Sequence, residues 1–266
     1  MKQPFIKKNR TFTTLRKYAW IYTLIVAFGG LWFPKLGLTV PLIIFGLTVS
    51  SLLNGKYWCG NVCAHGSLFD ALILPYSKNK VFPKIVKNAY FIGFIFLFFG
   101  FNITRRILAL QEFWGSASFW DQLGMIFVGT YLMVTIVGSL LGVFFAPRTW
   151  CSFCPMGTIQ KVMHYIGTKT GINKNTHKVL TPESNKCKAC GLCSKACPAQ
   201  LSPHETFKDG KQFTHPECIK CSTCVYTCPT KILSYDRVQK KEVDNIPVPS
   251  VDIGTNPGEE NERKAG

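Results

Sequence analysis

The sequence predicts an all-α membrane domain of four transmembrane helices, set as two repeated hairpins, followed by a small α+β domain dense in cysteine. Three observations lead there. Four apolar runs without Lys, Arg, Asp, Glu or His lie before residue 147, ten of the twelve cysteines lie after it, and those cysteines recur at gaps of two and three residues. Uncharged runs of this kind suit lipid, because a charge at the bilayer centre is costly. Clustered thiols suit a compact metal site better than a set of long disulfide bridges.

Residues 1–17 form a basic N-terminus with six Lys or Arg and no acid. The membrane domain is expected over 18–156. Its first runs, "YAWIYTLIVAFGGLWF" (18–33) and "LTVPLIIFGLTVSSLL" (38–53), are separated by "PKLG" and flanked by Tyr18, Trp20, Trp32 and Tyr57 as interfacial anchors. The third run is 88–103, closed by Arg105 and Arg106, and the fourth is 122–146, closed by Pro147 and Arg148. Residues 157–184 read as an amphipathic helix, with Ile159, Val162, Met163 and Ile166 at helical spacing, and then a polar linker. The cysteine-rich module covers 185–235. The tail, 239–266, has no hydrophobic period and reads as disordered.

Charge sets the orientation. The N-terminus carries six basic residues and the 54–87 loop five, against Lys35 alone in one connection and Arg105 and Arg106 in the other. The positive-inside rule places both termini and every cysteine in the cytoplasm, the reducing side that free thiols require, at a bacterial inner membrane. The formal charge of +17 follows from this flanking pattern and from attraction to anionic lipid, so nucleic acid is not an expected partner.

"CKACGLCSKACP" (187–198) and "CIKCSTCVYTCP" (218–229) both fit C-x2-C-x2-C-x3-C-P, the run of bacterial two-cluster ferredoxins. Three thiolates of each run wrap one inorganic cube and the fourth reaches the other. The expected ligands are Cys187, Cys190, Cys193 and Cys228 for one [4Fe–4S] cluster, and Cys218, Cys221, Cys224 and Cys197 for the second. Structural zinc explains two C-x2-C pairs but not a doubled run of four with proline after each. The C-terminal module is thus a bacterial ferredoxin-like 2×[4Fe–4S] domain. Two clusters in one small module point to electron transfer.

Cys59 and Cys63 follow the second apolar run in "KYWCGNVCAHG", and Cys151 and Cys154 follow the fourth in "RTWCSFCPMG". The two-run unit ending in a thiol pair is an internal repeat. Hairpins packed side by side bring the four thiols together; a third iron–sulfur centre is favoured there over a redox dithiol or zinc.

This layout resembles the polyferredoxin-like membrane 4Fe–4S proteins of the NapH, CcoG and nitrous-oxide-reduction regulator type, over about residues 10–235. Ala64 stands where that family carries proline, and "CSFCPMG" has one residue fewer between its cysteines. The resemblance implies electron relay between a membrane donor, quinol first, and a redox partner protein, with the chain acting as a quinol dehydrogenase subunit or as a carrier within an oxidoreductase complex. A copper reductase serving oxidase assembly and a membrane redox sensor are the alternatives, the latter weakened by the lack of an output domain.

All five histidines lie outside the apolar runs, and no C-x-x-C-H occurs, so membrane haem is not expected. His65, two residues beyond Cys63, reads first as a solvated loop residue, with tuning or ligation of a metal as the alternative. Asp70, Glu112 and Asp121 are the acids placed to accept a proton near the headgroups. Lys186, Lys188, Lys195, Lys211 and Lys220 suggest a basic face on the module for an acidic partner or the bilayer.

Overall fold

The computed structural model describes residues 5–116, 118–173, 178–182, 187–208 and 211–237. The expected tail, the linker stretches 174–177 and 183–186, and with them Lys186, lie outside the described residues.

The first apolar run is helical only in pieces. Thr14–Tyr18 (α1) and Trp20–Leu24 (α2) are short α-helices, and Ile25–Gly29 continues as a π-helix. Thr13 caps α1 by accepting the Arg16 N–H. After Gly30 the chain turns, and a 3-10 turn over Pro34–Leu38 leads into α3, Thr39–Asn54. Gly55, at φ +58°, ends α3 in a conformation that glycine adopts without a Cβ penalty. Tyr57–Asn61 (α4) and Ala64–Leu68 (α5) follow, and then a π-helix over Phe69–Ile73.

Two long helices complete the apolar half. Ala89–Leu108 (α6) is capped by Asn88, whose Oδ1 accepts the Tyr90 N–H at 2.8 Å, and it carries Arg105 and Arg106 in its last turn. Both features favour the helix macrodipole. Ser118–Phe144 (α7) has Asp121 in its first turn and spans about 40 Å at the usual rise. Among the described residues, three stretches are long and apolar enough to cross a membrane: Pro34–Asn54, Ala89–Phe113 and Ser118–Phe144. On α6 only Ile92 is buried, while Phe94, Leu97 and Phe101 are exposed. An apolar helix with so little of its surface inside the protein is suited to lipid.

Contacts fix how the pieces run. Arg16 lies at the cysteine end, beside Asp70. Fourteen residues later, Gly30 abuts Val128, where a Cβ would stand 2.5 Å from the valine Cγ2. Pro34 passes so near Gly124 that a Cβ there would lie 2.1 Å from its carbonyl oxygen. The first run therefore travels along α7 from the cysteine end to its opening turns, although it is not one long helix. α3 and α7 end, and α6 begins, on the cysteine side. There a core of Leu68, Phe69, Phe82, Trp150 and Phe153 packs under the thiol pairs, with Trp150 and Phe153 edge-to-face at 4.9 Å.

Pro155–Lys169 (α8) is the expected amphipathic helix. It lies along α3, and Gly167 makes the approach possible, since a Cβ there would meet the Leu52 carbonyl oxygen at 2.2 Å. Val162 and Ile166 remain exposed on its other side.

The stretch read as linker contains a strand. Lys178–Pro182 (β1) pairs antiparallel with Leu233–Arg237 (β2), with Leu180 opposite Tyr235. Between them lie Leu192–Ala196 (α9), Pro203–Lys208 (α10) and Thr223–Thr227 (α11). Leu180, Leu201, Phe207, Phe213 and Leu233 form the module's core, with the cysteines packed against it. Polar flanks hid β1 in the sequence; the burial of Leu180 (1% exposed) holds it in place.

Candidate metal centres

The two cysteine runs fold alike, residue for residue. α9 and α11 start 31 positions apart, as do Cys187 and Cys218. Ala189 and Lys220 have φ +49° and +52°, Gly191 and Ser222 +70° and +60°, and Gln200 and Lys231 +55° and +50°. Left-handed residues between the cysteines coil each loop so that its thiols face one way. For a non-glycine residue this costs roughly 1 kcal/mol. Cys197 and Cys228 have nearly identical extended dihedrals and direct the fourth thiol away from its own loop.

The outcome is two cavities with separate ligand sets. One is lined by Cys197, Cys218, Cys221 and Cys224, the other by Cys187, Cys190, Cys193 and Cys228. In each, three thiols come from one run and the fourth from the other. Burial first, and the neighbouring thiol second, push Cys197 up to about 12. Burial likewise raises Cys218 to about 11 against the Lys220 N–H. Neutral thiols crowded in an apolar wall become thiolates when a cationic centre is bound between them. A single zinc explains the four thiols of two C-x2-C pairs, whereas here two cavities each take three thiols from one run and the fourth from the other, the ligand division of a two-cluster ferredoxin.

The other four thiols also meet. Cys59 is close enough to Cys63, Cys151 and Cys154 for each to raise its thiol, after burial, which acts most strongly. The two pairs are built alike. Cys63 and Cys154 are each the N-cap of a helix, α5 and α8, at φ/ψ of −56°/120° and −59°/129°. Gly66 and Gly157 occupy the same place three residues on, and the Gly66 N–H points at Cys63 Sγ at 3.5 Å. Pro155 opens α8 where Ala64 opens α5, so the missing proline leaves the geometry unchanged. Gln160 Nε2 donates to Cys59 Sγ at 2.9 Å. Burial first, then Cys151, pushes Cys154 up to about 12.

Several residues of this region escaped sequence reasoning. Asp70, expected as a proton acceptor, is buried among three arginines. Arg16 donates to its Oδ2 at 2.6 Å and Arg148 at 2.5 Å, and Arg10 lies 3.6 Å from Oδ1. Burial alone would raise this carboxyl; Arg148 and Arg16 outweigh it and hold it well below the usual carboxylate range. It is a fixed anion and a poor base. His65 is packed, not solvated: its Nε2 shares a 2.9 Å hydrogen bond with Thr135 and its ring lies 4.2 Å from that of Tyr131. Glu112 and Asp121 are at the opposite end of the helices, Asp121 exposed beside Lys35. Lys220 is buried, with no hydrogen-bond partner for Nζ among the described residues, and so is not part of a basic face. In the sequence Arg10 and Arg16 look like flanking charge and Arg148 like a stop signal; only the fold reveals their shared carboxylate.

The ferredoxin module is seated on the membrane-edge thiols. Gly60 lies between two of them, and a Cβ there would fall 1.9 Å from the Ile219 carbonyl oxygen and 3.3 Å from Cys221 Cβ. Asn61 Nδ2 donates to the Lys220 carbonyl at 3.2 Å, and Arg16 Nη1 to that of Cys221 at 3.0 Å. Glu217 is held between Lys56 and Lys161. Gln200 accepts the Phe82 N–H and donates to the Lys80 carbonyl.

Comparisons with known proteins agree with this division. A 4Fe-4S dicluster domain matches residues 179–229, and a 4Fe-4S binding domain matches twice, over 36–83 and 128–173. Each copy of the second contains one membrane-edge thiol pair and apolar sequence just before it, so the repeat it shows is one run with its thiol pair; the first and third apolar runs lie outside both matches. Two uncharacterized proteins of Methanocaldococcus jannaschii are 24% identical to the chain. One aligns over 73% of it and 78% of its own length, the other over 72% and 69%. A component of the ion-translocating oxidoreductase complex of Buchnera aphidicola is 28% identical over 55% of the chain and 33% of its own length. No solved structure matches. The chain is a membrane-associated, ferredoxin-like iron–sulfur protein that carries [4Fe–4S] clusters and belongs to electron transport.

Proposed function

We propose that the chain relays electrons from a membrane donor, most simply quinol, through three iron–sulfur centres to a redox partner protein. Cys59, Cys63, Cys151 and Cys154 hold the centre at the membrane edge. Cys197, Cys218, Cys221 and Cys224 hold the proximal ferredoxin cluster, and Cys187, Cys190, Cys193 and Cys228 the distal one. When bound, such centres supply one-electron carriage at potentials the surroundings tune.

The observation that carries this reading is the seating of Gly60 and Asn61 against Ile219–Cys221. It sets the membrane-edge thiols directly behind the proximal set, and the distal set adjoins the proximal one through the fourth cysteine that each run lends the other. Cys190 is exposed on that distal set, so a docking partner reaches it first, and Lys188 and Lys195 nearby favour an acidic one. Four crossings, with the segmented first run as one of them, put both termini in the cytoplasm of a bacterial inner membrane. The domains then follow as 18–156 for the membrane part and 178–237 for the ferredoxin part. The layout resembles that of the NapH-type quinol dehydrogenases, and the similarity to a component of an oxidoreductase complex supports a protein partner.

The test uses protein purified anaerobically in detergent. Three cubes give about twelve irons per chain. Cys59→Ala or Cys151→Ala should lower that to about eight, and a menaquinol or ubiquinol analogue should bleach the visible absorption of the wild type. Iron unchanged by either substitution rejects the membrane-edge centre, and absorption that quinol leaves untouched rejects quinol as donor.

A further inference from the structure

Three guanidinium groups and one carboxylate are enclosed where the membrane-edge thiols and the proximal thiols back onto each other. Arg10, Arg16 and Arg148 are each 2% exposed and Asp70 is 4% exposed. Arg148 reaches one quartet: its Nη1 donates to the Cys59 carbonyl at 2.8 Å and lies 3.8 Å from Cys151 Sγ. Arg16 reaches the other through the Cys221 carbonyl. Among the described residues, Arg10 has no hydrogen-bond partner at Nε or Nη1, and Arg16 has none at Nε. One carboxylate cannot balance three cations, so two positive charges stay unmatched by this constellation in a place closed to water. Buried charge persists only where something pairs with it.

We infer that Arg10, Arg16, Arg148 and Asp70 form a charged junction whose surplus cations are balanced by the anionic, thiolate-ligated clusters on either side, and that the junction raises the reduction potential of those two centres. The inference rests on the ligand sets proposed above. Each one-electron reduction adds a negative charge to a centre, and a fixed cation nearby stabilises the reduced form more than the oxidised one. The same surplus favours successive occupation of the two neighbouring centres by an electron, because it offsets part of their mutual repulsion. Distal thiols lie outside this set of contacts, so the distal centre is the internal reference. These four side chains act through the clusters and are positioning residues.

The experiment is a dithionite titration of the full-length protein, followed by EPR, with iron and sulfide counted for each sample. Arg10→Gln removes a cation and should lower the midpoint of one or both flanking centres; Arg10→Lys should restore it. Asp70→Asn removes the anion and should move the same midpoints upward. The distal midpoint should stay fixed in all three. Opposite signs for the two neutral substitutions support the junction, and where only one variant keeps its iron, the sign of its shift decides. Unmoved midpoints in loaded variants, shifts of the same sign, or loss of iron from both variants overturn it in favour of a purely structural role. Wild-type protein without iron would instead sink the ligand assignment itself.

Discussion

The ferredoxin quartets and the membrane-edge quartet use the same ligand and are assembled in opposite ways. In the ferredoxin module a short loop supplies three of the four thiols, and the left-handed turns at 189/220 and 191/222 aim them. At the membrane edge each loop supplies two, and the loops are some 90 residues apart, so packing of helices must bring Cys59 and Cys63 to Cys151 and Cys154. The first kind of site is a property of local sequence with a small core behind it. The second depends on the whole helical half.

The largest expected effect sets the two halves against each other. The module's core is small, with the cysteines themselves packed on Leu180, Phe207 and Phe213, and binding of a metal centre to such a domain is a large share of its folding free energy. Removing iron by acid and chelator should unfold 178–237 while α3, α6 and α7 persist. Limited proteolysis should then cut within the module alone, and far-UV circular dichroism should keep most of its helical signal. Cleavage within the long helices at the same rate would break the contrast.

A helix-packing substitution should do the reverse. Gly167→Val puts a side chain where a Cβ already lies 2.2 Å from the Leu52 carbonyl oxygen. Overpacking of this kind costs typically ~1–3 kcal/mol, and here it pushes α8, which Cys154 caps, away from α3, which leads to Cys59. We expect about eight irons to remain and about four to be lost. Gly60→Ala should leave the loading of all three quartets unchanged but should unseat the module, since its Cβ would occupy the space of the Ile219 carbonyl. Stopped-flow mixing with a quinol analogue should then show fast reduction at the membrane edge and slowed reduction beyond it.

The same contrast explains what the sequence made legible. Both C-x2-C-x2-C-x3-C-P runs encode spacing, turn and ligand in twelve residues, and the cavities are lined by the eight cysteines the pattern grouped. The membrane-edge pairs were visible as a repeat, but their meeting depended on packing that no local pattern states. Least legible were the charges. Arg10, Arg16 and Arg148 have the sequence signature of residues beside a membrane, and Asp70 that of an interfacial acid. Their burial is a tertiary fact, made by Gly66 (a Cβ there would lie 2.5 Å from Arg148 Nη1) and by the module closing over Arg16. β1 was missed for a related reason: a strand whose partner lies more than fifty residues on shows little of itself in five residues.

Two ion pairs scale the smaller effects. Glu217 joins the module to Lys56, which is 4% exposed at its side chain, and to Lys161. Glu217→Gln leaves the buried Lys56 ammonium without its counter-ion. Breaking a fully buried pair costs about 3–5 kcal/mol, but the Glu217 side chain is 33% exposed, so screening reduces this and we expect roughly 1–2 kcal/mol in thermal unfolding of the module. Lys35 and Asp121 mark the other limit. They face each other at 4.0 Å at the far end of the helices, with side chains 70% and 47% exposed. Water and salt screen such a pair, and two long side chains lose freedom to hold it, which leaves about 0–1 kcal/mol. Asp121→Asn should therefore shift melting by no more than the scatter between preparations, keep the full iron content, and leave quinol reduction unchanged. A large loss of activity in that variant would move the donor site to the end of the helices away from the thiols, and would place the whole bilayer between electron entry and the first centre.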